Sequence, residues 1–191
     1  MTKIIDGGKK FLILGGGNSI TNKEIFIRYF NKKIWLGYER NEVKWFEVPE
    51  GYEYEKEVDG KKFGKVSGIS WWTNLEVDKF EKPFETKYNL SDRKYEKFTN
   101  FDALNIDRTE YIPMDYDGLM GVPVTYINKH DDRVFDLVGL FNGYAESEPE
   151  KGLYCGELVE TWKNGKMTKT RGPAIGTRAT YTRLLIKKKK N

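Results

Sequence analysis

The sequence predicts a mixed α/β fold tending to α+β, with one strand–helix–strand crossover at the front and mostly antiparallel strands and hairpins behind it. Three observations carry this reading. Phe11-Leu12-Ile13-Leu14 is a continuous apolar run closed by Gly15-Gly16-Gly17, the pattern of a buried strand entering a tight loop. KEIFIRYF, residues 23–30, sets Ile25, Phe26 and Tyr29 at helical spacing. Beyond residue 40 the pattern becomes short extended runs separated by Gly, Pro, Asn and Asp.

In chain order, Thr21 followed three residues later by Glu24 predicts a capping box at the helix start. Residues 33–38, KIWLGY, return as a second strand, which predicts a parallel crossover with the first. Residues 43–48 read as a strand stopped by Pro49, and Asp59-Gly60 between Val58 and Lys61 is a hairpin signal. Residues 62–66 and 68–75 are expected to pair. Residues 76–99, highly charged and holding Pro83, read as an exposed excursion. An extended run at 101–106, a turn at 115–118 and strands at 120–127 and 135–141 follow, with a helical turn in the polar link between the last two. Residues 143–156 read as a Gly- and Glu-rich loop. Strands at 157–162 and 166–170 are joined by a Lys163-Asn164-Gly165 turn, and a last strand covers 180–186. With no repeat and no linker composition, residues 1–191 read as one unit: a crossover over 1–40 and a β-rich part over 41–191.

The chain is long enough to bury a real core. Its aromatic content of 15% argues against disorder despite 32% charged residues. The net charge of +4 is compatible with a nucleic-acid partner without requiring one. A lone cysteine, Cys155, excludes an internal disulfide and points to the cytoplasm. The N-terminal apolar run is too short for a membrane span and lacks a signal-cleavage pattern.

Among candidate sites, the front unit imitates a dinucleotide fingerprint, with Gly15 and Gly17 as its first glycines and an acid near Glu39 for a ribose. The third glycine position is occupied by Ile20, where close helix–strand packing wants a small residue. His130 with a single cysteine cannot build a Cys/His zinc site, and it reads as a solvated loop residue. Asp115-Tyr116-Asp117-Gly118 lacks the later bidentate acid of a calcium loop and reads as a turn. Trp71 and Trp72 point to opposite faces of a strand, so one packs in the core while the other meets a second environment. That second environment is either another apolar layer or a surface where the ring stacks on a nucleobase, with Thr73 and Asn74 able to reach phosphates or base edges. Arg171, Arg178, Arg183 and the run 187–190 raise the basic density at the end of the chain, either as a solvated tail or as phosphate contacts.

KKFLILGGGNSITNKEIF, KIWLGY, WFEVP, GISWWTNL, FDALNIDRTEYIPMDYDGLMGVPVTYI, FDLVG and GPAIG with YTRLLIKKKK together span nearly the whole chain. In this combination the sequence resembles the C-terminal half of the EcoRI-type adenine-specific DNA methyltransferases. The resemblance implies the C-terminal part of a Rossmann-like methyltransferase sheet, with residues 1–40 as a remnant of the catalytic core and 41–191 as a DNA-recognition-like part. It also implies a modification enzyme that moves a methyl group from S-adenosylmethionine to N6 of adenine in double-stranded DNA, with no metal. The family's Asn-Pro-Pro-aromatic tetrapeptide has no counterpart: Pro49, Pro83, Pro113, Pro123, Pro149 and Pro173 are all isolated. Two expectations follow. The chain is one portion of such an enzyme, inactive without the catalytic half, which a separate chain could supply; or it is a stand-alone DNA-binding or regulatory module. In either, the DNA contacts are expected at Trp72, Thr73, Asn74, Arg171, Arg178, Arg183 and Lys187, with residues 76–99 and 143–156 as variable recognition loops.

Overall fold

The computed structural model describes residues 2–37, 44–77 and 83–190. Two short α-helices, α1 (Thr2–Asp6) and α2 (Lys23–Phe30), accompany the strands. The front strands are β1 (Leu12–Gly16), β2 (Trp35–Leu36), β3 (Lys44–Glu47), β4 (Lys56–Val58), β5 (Lys61–Val66) and β6 (Ile69–Thr73). The middle holds β7 (Glu96–Lys97), β8 (Leu104–Asn105), β9 (Met120–Pro123), β10 (Phe135–Phe141) and β11 (Leu153–Tyr154). The end holds β12 (Val159–Lys163), β13 (Lys166–Thr170), β14 (Ala174–Ile175), β15 (Arg178–Ala179) and β16 (Arg183–Lys188).

The fold is mixed and strand-rich. The central sheet runs β11-β10-β16-β9-β8-β7, and three smaller sheets run β1-β6-β2, β3-β5-β4 and β13-β12-β15-β14. In the central sheet β16 lies antiparallel to both β10 and β9, while β8 and β11 join by parallel pairing. Alternation along β16 explains its position. Leu184 and Ile186 face the main core, and Leu185 faces a second small cluster with Phe98, Ala103 and Phe141. Both faces of this strand are buried, so its apolar run is continuous rather than alternating.

The helix over 23–30 forms where the spacing predicts it, burying Ile25 and Phe26. Its cap is Asn22 rather than Thr21: the Asn22 side chain accepts from the Glu24 and Ile25 backbone N–H groups. Thr21 ends a 3-10 turn over Gly17–Thr21 and donates its hydroxyl to the Asn18 carbonyl.

In the front crossover β1 and β2 run parallel, as read, but with another strand inserted between them. β1 and β2 do not pair with each other; β6 lies between them, antiparallel to both. The expected pairing of 62–66 with 68–75 is therefore absent: β5 sits between β3 and β4, while β6 belongs to the other sheet. Gly68, at φ 71°, turns the chain between them. Pairing by proximity in sequence loses here to the apolar face of β6, whose Trp72 is sealed beneath α2.

Both hairpin turns form as read. Asp59 and Gly60 have φ of 50° and 74°, and Asn164 and Gly165 have 51° and 73°, the left-handed pair that suits the twist of a two-residue hairpin. The run 120–127 is only half strand; after Pro123 the chain coils into a 3-10 turn, Val124–Lys129, that buries Tyr126, Ile127 and Asn128. One apolar cluster extends from Phe11 to Ile186 and joins the front sheet, α2 and the central sheet. Among the described residues no helix is long and apolar enough to cross a membrane.

Candidate nucleic-acid interface

A concave surface lies where the β13-β12-β15-β14 sheet meets the body of the molecule. It is a cleft of about 980 Å³ with Asn18, Asp107 and Pro123 on one wall and Trp162, Arg178 and Tyr181 on the other. The wall is set by strand register. Trp162 is opposite Met167 on β13 and Arg178 on β15, so these three side chains share one face. Thr161, next in sequence, is fully buried on the other face, where its hydroxyl meets that of Thr168 at 3.4 Å. Trp162 keeps 56% of its surface exposed and Tyr181 86%.

Arg183 forms the cleft floor. Its side chain is buried, its Nε donates to Asn105 Oδ1 at 3.2 Å, and its Nη2 lies 4.0 Å from Asp107 Oδ1. Asn105 in turn donates to Asp107 Oδ1 at 2.9 Å, which fixes the orientation of both. Burial pushes the Arg183 guanidinium below its ordinary value, with Asp107 acting against that shift and Arg178 adding to it. A guanidinium presents five N–H donors in a rigid fork, and a buried charge so sparsely paired favours an anion at the cleft. Lys163 and Arg178 add positive charge at the rim. Exposed rings interleaved with cations above a recessed arginine make a surface suited to a polyanion with stackable bases.

Of the residues singled out from sequence, Arg178 and Arg183 meet in this cleft. Arg171 lies at the end of the same sheet, exposed, with Nη1 donating to the Gly156 carbonyl at 3.4 Å. Lys187 is exposed on β16 opposite Asp136.

Trp72, Thr73 and Asn74 lie elsewhere and have framework contacts. Trp72 has no exposed surface and meets the Tyr29 ring edge-on at 6.4 Å, so it presents no face for a base to stack on. Thr73, equally buried, donates to the Phe11 carbonyl at 2.6 Å and accepts from Leu75 N–H. Asn74 clamps the start of β1: Oδ1 accepts from Phe11 N–H at 3.0 Å and Nδ2 donates to the Lys9 carbonyl at 2.9 Å. These placements correct the expectation of a stacking ring at Trp72. The exposed rings lining the cleft are Trp162 and Tyr181. Sequence reasoning missed both, although the Lys-Asn-Gly turn beside Trp162 marked a surface hairpin.

The glycine run does not fit a nucleotide loop. Gly15 and Gly16 continue β1 in register with Ser70 and Ile69, and the Gly17 N–H donates to the Gly68 carbonyl at 2.7 Å. The Gly17 donor that would face a phosphate is thus engaged by the chain entering β6. The acid near Glu39 lies outside the described residues. Residues 78–82 of the 76–99 segment do as well, and its described remainder includes the Tyr88–Pro113 bridge and β7.

His130 is not a solvated loop residue; it is half-buried against the Tyr126 ring, with Nδ1 3.4 Å from the Tyr126 hydroxyl. Burial raises the Tyr126 phenol far above its usual value. Beside it, Asp131 accepts from Arg133 Nε and Nη2 and from the Arg133 and Phe84 N–H groups, which hold its carboxyl well below the usual range. The chain turns at 114–115 and bends at 118, Asp115 accepts from the distant Leu90 N–H at 2.7 Å, and among the described residues no group of three potential ligands could hold a metal.

The model of the EcoRI adenine-specific methyltransferases matches residues 1–189. The chain belongs to that family. It is 38% identical over 177 residues to the type II methyltransferase M.EcoRI of Escherichia coli, which covers 88% of this chain and 54% of that protein. It is 36% identical over 152 residues to M.MgeORF184P of Mycoplasma genitalium, covering 74% of this chain and 48% of that one. To M.MpnI of Mycoplasma pneumoniae it is 31% identical over 199 residues, covering 98% and 59%. The chain thus spans about half the length of the curated relatives it matches. No solved structure matches it.

Proposed function

We propose that this chain is the DNA-engaging portion of an adenine-N6 DNA methyltransferase of a restriction–modification system, corresponding to the C-terminal part of the family's enzymes. The observation that carries this reading is the cleft of Trp162, Arg178, Tyr181 and Arg183 within a chain of that family. Family membership supplies the methyl donor, S-adenosylmethionine, and the acceptor, adenine in duplex DNA. Attack by the amino nitrogen requires acceptors for its hydrogens and a base drawn out of the stack. The isolated prolines of this chain offer no tetrapeptide for that task, and its glycine run offers no cradle for the donor. In this reading both come from residues outside these 191, and the chain contributes duplex binding and orientation.

The test is complementation. Mixing this chain with a segment of a relative that carries the Asn-Pro-Pro-aromatic motif and cofactor-binding half is expected to give N6-methyladenine in duplex DNA, where neither chain alone does. Absence of both association and methylation contradicts the proposal.

A second reading, a stand-alone DNA-binding or regulatory module, is favoured by one observation: a single apolar cluster from Phe11 to Ile186 joins the front sheet, α2 and the central sheet. It predicts duplex binding by the chain alone and no methylation on mixing.

A further inference from the structure

The β3-β5-β4 sheet differs from the other three sheets. Among residues 44–66, all described, not one is buried. Trp45, Phe46, Tyr52, Tyr54, Val58 and Val66 are all exposed. A three-stranded sheet ordinarily needs a covered apolar face to be stable, so a lobe of this kind implies something that lies against it.

Register sorts its side chains onto two faces. Trp45 lies opposite Lys65, Glu47 opposite Phe63, Lys56 opposite Phe63, and Val58 opposite Lys61. One face therefore carries Trp45, Val58 and Phe63 with Lys56, Lys61 and Lys65, against a single acid, Glu47. The Lys56 ammonium sits 4.1 Å above the Trp45 ring and 5.6 Å from the Phe63 ring, and Lys61 pairs with Glu47 at 2.9 Å. Of the lobe's other acids, Glu57 lies opposite Lys62 on the reverse face, Asp59 lies in the turn, and Glu50, Glu53 and Glu55 fall in the connection over 49–55, where the Glu55 carboxylate accepts from the Lys65 N–H at 2.8 Å. The β4–β5 arm ends in the tight Asp59-Gly60 turn, and a two-stranded ribbon of that kind is narrow enough for a major groove of about 12 Å.

We propose that this face is a second DNA contact, separate from the cleft, in which Lys56, Lys61 and Lys65 meet backbone phosphates and Trp45 with Val58 packs against the groove. The proposal rests on the duplex-binding reading above. Charge complementarity selects the occupant: three ammonium groups around two rings suit a polyanion with apolar base edges better than an apolar protein face, which would have to desolvate all three.

Binding of a random-sequence duplex to the 191-residue chain, followed by fluorescence anisotropy across a salt series, tests it. The Lys56→Ala/Lys61→Ala/Lys65→Ala variant is expected to bind with a log–log salt slope shallower by about 2 to 3, one phosphate contact giving about 0.9. Trp45→Ala is expected to weaken binding about tenfold. Lys62→Ala, on the opposite face, is the control and should change binding less than any of the three. The same lysine changes made singly carry the test if the triple variant unfolds. Wild-type slope and affinity in the lysine variants, with binding lost in Arg178→Ala, would overturn the proposal while leaving the cleft reading intact, and would make this face a protein-docking surface. No duplex binding by the wild-type chain at low salt would overturn both.

Discussion

Two tryptophan-bearing strands, β6 and β12, have the same kind of sequence and opposite fates. β6 reads Ile-Ser-Trp-Trp-Thr and β12 reads Val-Glu-Thr-Trp-Lys, each opening on a β-branched apolar residue and carrying tryptophan beside threonine. In β6 the ring of Trp72 is sealed beneath α2 and the neighbouring Thr73 is fully buried. In β12 it is Thr161 that is buried, while Trp162 faces the cleft beside Arg178. The difference lies in what covers each face. Both strands are interior in their sheets, but Tyr29 of α2 packs on the Trp72 face while the Trp162 face opens onto the cleft. The tryptophan that looked like a stacking ring thus marks framework, and a less conspicuous one marks the surface.

The strongest way to break this contrast is through stability. Trp72→Ala removes a fully buried indole and is expected to cost about 3–5 kcal/mol. Chemical denaturation should register it as a large fall in midpoint. A cost below about 1 kcal/mol would mean that the ring is not enclosed. Thr73→Val keeps the volume but leaves the Phe11 carbonyl and Leu75 N–H without their hydroxyl partner, at an expected cost of about 1–3 kcal/mol by the same measurement. Trp162→Ala is expected to leave stability within about 0.5 kcal/mol, as for an exposed side chain, while weakening duplex binding about tenfold. If Trp162→Ala unfolded the chain and Trp72→Ala did not, the assignment of framework and surface would be reversed.

The smallest expected effect is on pH dependence. Asp131 is held low in the folded state by Arg133 and by two backbone donors. Its contribution to stability is therefore complete above the unfolded carboxylate value of about 4 and is lost as pH falls below it toward the folded value. Asp131→Asn should flatten the acid limb of the stability profile between pH 5 and 3, in units on the order of one proton. An unchanged limb would show that other carboxylates set it.

How much of this was legible in the sequence depended on the range of the interaction concerned. Local signals held: the helical spacing of Ile25, Phe26 and Tyr29, the left-handed turns at Asp59-Gly60 and Asn164-Gly165, and the strand at Phe135–Phe141. Side-chain alternatives one residue apart did not: Asn22 took the cap that Thr21 with Glu24 suggested, because it stands directly before the helix with extended backbone and its Oδ1 reaches both free N–H groups. Long-range choices were hidden. Nothing near β6 announces that it inserts between β1 and β2 rather than pairing with β5, since strand order is decided by the packing of apolar faces in the finished core. The cleft follows the same rule. Arg178 and Arg183 were visible as a basic ending, but their meeting with Trp162, Tyr181 and Asp107 is a product of tertiary folding. Arg183 was legible as a charge and not as a buried one, because its partners Asn105 and Asp107 lie far away in sequence.

The most direct measurement is duplex binding by the wild-type chain and by Lys163→Ala/Arg178→Ala across a salt series, with the unfolding midpoint measured in parallel. The account predicts binding that weakens steeply with salt, a slope shallower by about 2 in the double variant, and an unchanged midpoint. Salt-insensitive binding by the wild-type chain, or a double variant with wild-type slope and affinity, would contradict it.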